Sequence, residues 1–84
     1  MLHIKSAQHI SEFILRIAFD DGTSGDINLE NALVGPVFEP LKDISVFSKV
    51  AIDPEPETVV WPNGADLAPE FLKELHNNQM KRMR

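Results

Sequence analysis

The chain has 84 residues and no cysteine, and its 13 acidic and 8 basic residues give a net charge of −5. This length allows one domain, residues 1–84, with a small core, and the lack of cysteine excludes disulfides, thiolate nucleophiles and cysteine metal sites. Residues 1–80 contain 5 basic and 13 acidic residues, a charge of −8, which argues against phosphate binding by the body of the protein.

The first third of the chain predicts three strands. Residues 2–9 alternate imperfectly between apolar and polar side chains, whereas residues 12–19 alternate clearly, which is typical of a strand with one buried face. That face is predicted to carry Phe13, Leu15, Ile17 and Phe19. Ile10-Ser11 is expected to link the two strands. Asp20-Asp21-Gly22 predicts a hairpin turn, because glycine accepts the positive φ of such a turn, and residues 23–28 form the return strand.

The middle of the chain predicts short helical turns. Asn28 is placed to cap a short helix over residues 29–33, which the pair Gly35-Pro36 ends. Residues 36–48 indicate an irregular crossing that contributes apolar side chains and lies as a lid over the core. Within it, Asp43 is placed to cap one helical turn.

The last third predicts two more strands and the best helix. Residues 50–52 and 58–61 are predicted strands, and the Pro-Glu-Pro-Glu segment between them is a stiff turn. A helix of about ten residues follows. Its predicted apolar stripe contains Ala68, Phe71, Leu72 and Leu75, and its polar face contains Glu70, Lys73, Glu74 and Asn77. The whole pattern predicts an α+β domain: a small antiparallel sheet of about five short strands, a C-terminal helix, and one or two short helical turns.

The segment TVVWPNGADLAPEFL, residues 58–72, joins the last strand to the helix. Pro62-Asn63-Gly64 predicts a turn in which proline sets φ and asparagine or glycine takes a positive φ. The helix start has two interpretations. Asp66 is the N-cap, or Pro69 is the first helical residue. We favour the second, because proline disfavours helical angles in the residue before it.

The same joint has a second interpretation as a binding site. Aromatic residues are enriched at interface cores, so the candidate interaction patch consists of Trp61, Asn63 and Asp66. A single tryptophan in a domain this small is more often a core residue than an interface anchor, by roughly two to one. We therefore favour a buried Trp61.

Three motifs in order carry a family resemblance. They comprise Phe19, Asp21, Gly22, Ile27 and Leu29; then Phe38, Pro40, Leu41, Asp43 and Phe47; then Trp61, Pro62, Gly64, Asp66, Leu67, Pro69 and Glu70. Over about residues 5–75, the chain resembles a bacterial family of small proteins, the domain of unknown function 2442 family. The resemblance implies a small α+β domain without an assigned activity.

The resemblance also bears on function. Members of this family often lie beside small genes that look like toxin components, and some carry an added helix-turn-helix domain. Both features imply an antitoxin-like or regulatory role with a protein partner. Because this sequence ends about where such a domain would begin, we expect no direct reading of DNA.

No catalytic, cofactor-binding or metal-binding constellation is predicted. The acidic loop contains Asp20, Asp21, Asp26 and Glu30. Their order does not match a calcium loop, so we interpret them as turn and cap residues. The histidines His3, His9 and His76 are scattered, and each is expected at the surface. We find no nucleophile elbow and no phosphate loop, and we therefore predict that the protein is not an enzyme. A small metal-dependent hydrolase is the least favoured alternative.

The favoured functional prediction is a non-enzymatic protein-interaction module with a small protein partner. The alternative is a nucleic-acid-associated transcriptional regulator that acts as an oligomer through a basic tail, residues 81–84, with Lys81, Arg82 and Arg84. A simpler interpretation of this tail is a frayed terminus.

Two further expectations concern assembly and location. Because a small sheet has open edges, we expect a homodimer. The N-terminus lacks the features of a signal peptide, and no apolar run approaches the ~20 residues of a membrane span. We therefore expect a cytoplasmic protein that does not contact a membrane.

Overall fold

A computed structural model describes residues 1–82 and confirms an α+β fold. Its five strands are β1 (Ile4–Ser11), β2 (Ile14–Phe19), β3 (Ser24–Asn28), β4 (Ala51–Asp53) and β5 (Thr58–Val60). Its helices are α1 (Ile44–Phe47) and α2 (Pro69–Arg82), with 3₁₀ turns at Glu30–Ala32 and Glu39–Lys42. Among these described residues, no helix is long and apolar enough to cross a membrane.

The strands form two antiparallel sheets rather than one. The first has the order β1-β2-β3, and the second pairs β4 with β5. The backbone N–H of Ile4 donates to the carbonyl of Glu57 at 2.8 Å, which ties the start of β1 to the β4–β5 hairpin. The β4–β5 ladder stays short because the proline-rich segment after Asp53 turns the chain.

The connection between β1 and β2 lies later than predicted. β1 continues to Ser11, with a register irregularity between His9 and Ser11, and Glu12 in the turn has a φ of 44°. Phe13 therefore lies in the turn rather than in β2. Its ring packs edge-on against Phe47, with ring centroids 5.4 Å apart.

β2 is the central strand and provides the middle of the core. Its predicted inward residues Leu15, Ile17 and Phe19 are completely or almost completely buried. The Asp-Gly turn leads into β3 as predicted, and Gly22 takes a φ of 91°.

The middle segment caps the core as predicted. The expected helix at residues 29–33 is a single 3₁₀ turn, and Oδ1 of Asn28 accepts from the backbone N–H of Glu30 at 2.9 Å. Asp43 caps α1, because its Oδ1 accepts from the N–H of Ser45 at 3.0 Å. The middle segment as a whole contributes fully buried side chains to the core, namely Leu33, Leu41 and Phe47.

α2 begins at Pro69, which confirms the favoured interpretation, but it extends to Arg82 and is rotated relative to its predicted apolar stripe. Leu72 is fully buried as expected, whereas Phe71 is 43% exposed. The buried positions are instead Pro69, Leu72 and His76. In this orientation Gln79 bonds to the backbone of Asn28 and Lys73 contacts the Thr23 hydroxyl, contacts that the periodicity of apolar residues does not contain.

Candidate interaction site

The turn before α2 repeats the geometry of the turn after β2. In the sequence FDDGT, the N–H of Phe19 donates to the carbonyl of Thr23 at 2.8 Å, and the N–H of Thr23 donates to Oδ1 of Asp21 at 3.0 Å. In WPNGA, Trp61 and Ala65 make the corresponding backbone bond at 2.9 Å, and the N–H of Ala65 donates to the Asn63 side chain at 3.1 Å.

The two loops therefore share one pattern: an aromatic residue, any residue, Asp or Asn, and then glycine. Gly64 takes a φ of 88°, close to the 91° of Gly22, so glycine and not Asn63 occupies the left-handed position. This explains why both glycines belong to the motifs that carry the family resemblance. Their role is to form turns.

Trp61 is buried, as favoured, so it cannot belong to an exposed patch. Its exposure is 2%, and its Nε1–H donates to the carbonyl of Phe47 at 2.8 Å. The indole also packs against the Phe47 ring, with centroids 5.6 Å apart. The hydrogen bond satisfies both the indole donor and a buried backbone acceptor, which makes Trp61 a fixed part of the core.

Asn63 and Asp66 lie at the surface, but they do not form a common site with Trp61. The Nδ2 group of Asn63 donates to the carbonyl of Val37 at 2.9 Å, while its oxygen accepts within the turn. Asn63 is therefore a structural residue that joins two loops. The backbone of Asp66 forms a bridge with Val60, and its side chain is exposed. The structure thus separates the members of the candidate patch.

Three carboxylates of the acidic loop have partners within the protein. Asp20 accepts from the N–H of His3 at 3.0 Å, and this backbone hydrogen bond is the main cause that lowers the pKa of Asp20. Asp26 accepts from Nε of Arg16 at 2.8 Å, which lowers the pKa of its carboxyl. Asp21 is discussed below. Within residues 1–82, no group of three or more His, Cys, Asp or Glu side chains is arranged to hold a metal ion.

Lys73 connects α2 to the turn between β2 and β3, although it was predicted on the polar outer face. Its Nζ lies 2.6 Å from Oδ2 of Asp21 and also contacts the hydroxyl of Thr23. The same Nζ lies 5.0 Å from the centroid of the Phe19 ring. Hydrogen bonds from Lys73 and Thr23 hold the pKa of Asp21 well below its ordinary value of 3.8.

The three histidines have different local environments, and the position of His76 corrects a prediction. His3 pairs with Asp20, and Nε2 of His9 lies 2.8 Å from the carbonyl of Glu12. His76 was expected at the surface but is only 8% exposed, and its Nδ1 has no hydrogen-bond partner among the described residues. Its ring fits against β3 where Gly25 leaves space for it.

The exposed side of α2 borders a groove, here called the α2 groove, with a volume of about 390 Å³. Its apolar members are Ala32, Phe71 and Leu75, and its polar members are Asn28, Glu30, Asn31 and Gln79. The groove forms between α2 and the 3₁₀ turn after β3. Sequence reasoning missed it, because it placed Phe71 in the core.

The α2 groove carries one carboxylate in its lining, that of Glu30. Glu30 belongs to none of the ion pairs formed by residues 1–82. The groove therefore combines an apolar surface with an acidic residue at its border.

The basic tail lies at the end of α2. Lys81 is exposed in the last helical turn, and Arg82 ends the helix. The third residue of the predicted tail, Arg84, lies outside the described residues.

Together these features define a small α+β domain with two sheets, one long C-terminal helix, and an acidic apolar groove beside that helix. The chain belongs to the protein family of unknown function DUF2442, whose family model matches residues 4–77. No curated protein and no solved structure matches the chain.

Proposed function

We propose that this protein is a non-enzymatic interaction module, antitoxin-like or regulatory, that binds a small basic protein partner through the α2 groove. The observation that carries the proposal is the half-exposed ring of Phe71, which is 43% accessible beside the groove. A phenylalanine side chain contributes a large apolar area when a partner covers it. Exposed aromatic side chains that border a pocket are typical anchors of protein interfaces.

The chemistry of the groove specifies the partner. Ala32 and Leu75 extend the apolar surface of Phe71, so the partner presents an apolar side chain to this position. Glu30 lines the groove, is exposed and lies outside the ion pairs of the described residues, so it attracts lysine or arginine beside that apolar anchor. The net charge of −8 over residues 1–80 adds long-range attraction to a basic protein. A basic segment with one or two large apolar side chains matches both properties.

The gene context implied by the family resemblance supplies the partner to test. We expect the product of the adjacent gene to co-purify with the chain when the two are co-expressed. Phe71→Ser is expected to weaken the complex at least tenfold, because it removes the apolar anchor. Val34→Ser is the matched control, since Val34 is 68% exposed but does not line the groove. It is expected to change affinity less than about twofold.

Two outcomes would contradict this proposal. The first is the absence of a complex together with normal growth when the adjacent product is expressed alone. The second is a complex that Phe71→Ser and Val34→Ser affect equally, with both variants folded by circular dichroism. Retention of nucleic acid on filters at low salt, weakened by Lys81→Ala, would instead support the nucleic-acid alternative.

A further inference from the structure

The two edges of the β1-β2-β3 sheet differ in how they end. Three side chains of α2, one per helical turn, contact β3 or the residue just before it. The Gln79 amide accepts from the N–H of Asn28 at 3.0 Å and donates to its carbonyl at 2.8 Å. The ring of His76 packs over the face of the strand at Gly25, and Lys73 contacts the Thr23 hydroxyl just before β3. Because Gln79 occupies both backbone groups of Asn28, a further strand cannot pair with this end of β3.

The register shows which groups β1 presents at the opposite edge. The N–H of Phe19 bonds toward β3, and hydrogen bonds alternate along an antiparallel strand, so Ile17 and Leu15 also bond toward β3. Their β1 neighbours are Ala7 and His9. The backbone groups of Ala7 and His9 therefore point away from β2.

These groups have no partner within the described residues. Beyond its ladder with β2, the backbone of β1 makes one hydrogen bond, from Ile4 to Glu57. No side chain of residues 1–82 bonds to the backbone of Ala7 or His9. An unpaired row of backbone groups is a template for another strand, and it needs either water or a partner to satisfy it.

We propose that this edge pairs with the same edge of a second copy, antiparallel about a two-fold axis at Gln8. In that arrangement Ala7 of one copy lies opposite His9 of the other, so the outward-pointing groups meet one another. The axis at Gln8 thus satisfies both the register of β1 and the symmetry of a dimer.

The charge pattern supports a second copy as the occupant. The protein is acidic overall, yet residues 1–11 contain no aspartate or glutamate, and Lys5 is their only lysine or arginine. Pairing about Gln8 places Lys5 opposite Ser11, so no like charges face each other. Two acidic proteins can therefore approach along this strand without the repulsion that their carboxylate-rich surfaces would produce.

The same geometry limits the strength of the dimer. Register irregularities lie between Ile4 and Ser6 and between His9 and Ser11, so the regular stretch is Ser6–His9. We expect a dimer that dissociates in the range of about 10 µM to 1 mM. Sedimentation velocity should show a dimer fraction that rises with concentration across this range.

An engineered cysteine locates the axis, and the chain has no native cysteine to interfere. Opposite residues in a non-hydrogen-bonded antiparallel pair have Cα atoms about 4.5 Å apart, which a disulfide can span. Gln8→Cys is expected to form at least five times more disulfide dimer than Ser24→Cys under mild oxidation. Ser24 is the matched control, because it is also exposed but lies on β3, at the opposite side of the sheet from β1.

A charge at the axis tests the same contact without covalent chemistry. Gln8→Glu places two carboxylates opposite each other and is expected to weaken the dimer about tenfold, whereas Ser24→Glu adds the same charge and leaves dimerisation unchanged. A monomer at about 1 mM, or equal disulfide formation by Gln8→Cys and Ser24→Cys, would overturn the proposal. Neither result bears on the α2 groove, because no residue of β1 lines that groove.

Discussion

The contact between Gly25 and His76 positions α2 on the sheet, and adding one methyl group tests it. A Cβ atom on Gly25 would collide with Nε2 of His76 and would lie 2.9 Å from its Cδ2 and Cε1. Favourable contact between non-bonded heavy atoms needs about 3.5 Å or more. Gly25→Ala therefore forces either the imidazole or the whole helix away from β3.

Two opposing effects set the size of the change. Alanine in a strand is favoured over glycine by about 0.5–1 kcal/mol, because the unfolded chain has less entropy to lose. Overpacking costs about 1–3 kcal/mol. The ring of His76 is 8% exposed, and α2 is held to β3 by Lys73 and Gln79 on either side, so overpacking dominates. We expect Gly25→Ala to destabilise the protein by about 1–2 kcal/mol, or about 4–16 °C in Tm.

The assay is urea unfolding followed by circular dichroism, with a double-mutant cycle. In the background of His76→Ala the obstructing ring is gone, so Gly25→Ala should become neutral or stabilising by up to about 1 kcal/mol. The cycle should then give a coupling energy of about 1–3 kcal/mol. Ser24→Ala, at the exposed neighbouring position of β3, is the control and should stay within about 0.5 kcal/mol of wild type.

A Gly25→Ala variant as stable as wild type would contradict the packing of the His76 ring against Gly25. The same would follow if His76→Ala left the effect of Gly25→Ala unchanged. In either case the ring would not be held against β3, and some other contact would position α2.

Three further predictions concern the core, the charge contacts and the sheet edge. Trp61→Phe should destabilise by about 2–4 kcal/mol, because the buried carbonyl of Phe47 loses its donor and the core loses volume. Asp21→Asn should lower the urea midpoint at pH 7, since Lys73 loses its ionic partner. The pKa of Asp21 is lowered on folding. The stability difference between wild type and Asp21→Asn should therefore be complete above a pH of about 4 and should decrease as the pH falls below that value. Gln79→Ala should destabilise by about 0.5–1.5 kcal/mol, because it removes two exposed hydrogen bonds to the backbone of Asn28 in β3.

Each of these predictions has a control or a contradicting result. Trp61→Phe removes the fluorophore, so circular dichroism must measure its unfolding, and stability equal to wild type would contradict a buried hydrogen bond. A stability difference for Asp21→Asn that is as large at pH 2 as at pH 7 would contradict the ion pair with Lys73. Asn78→Ala is the matched control for Gln79→Ala, since Asn78 is exposed on the same helical turn. Equal stability of these two variants would mean that the amide does not cover the edge.

The turns and caps were predictable because their causes lie within a few residues. Gly22 and Gly64 take the positive φ that a tight turn needs, and neighbouring side chains complete those turns. Asp43 caps α1 because its carboxylate reaches an N–H two residues away. The repeated pattern in FDDGT and WPNGA was also present in the sequence and would have predicted that both loops share one geometry.

The site was not predictable in the same way. The spacing of apolar residues assigned Phe71 to the core and Lys73 to solvent, and the structure reverses both. Asn28 and Gln79 are separated by 51 positions, and no local rule places one against the other. His76 is buried for the same reason, since its place depends on the missing side chain of Gly25.

Local sequence therefore determined the strands, the turns, the capped helical turns and the start of α2, because hydrogen bonds between near neighbours control all of them. The tertiary structure decided which face of α2 meets the sheet, because that choice depends on contacts with a strand far away in the chain. The packing of this one helix closes the end of β3 at Asn28, buries His76 and leaves Phe71 beside an acidic groove. The family motifs specify the scaffold, and the surface proposed to bind a partner arises from how that scaffold packs.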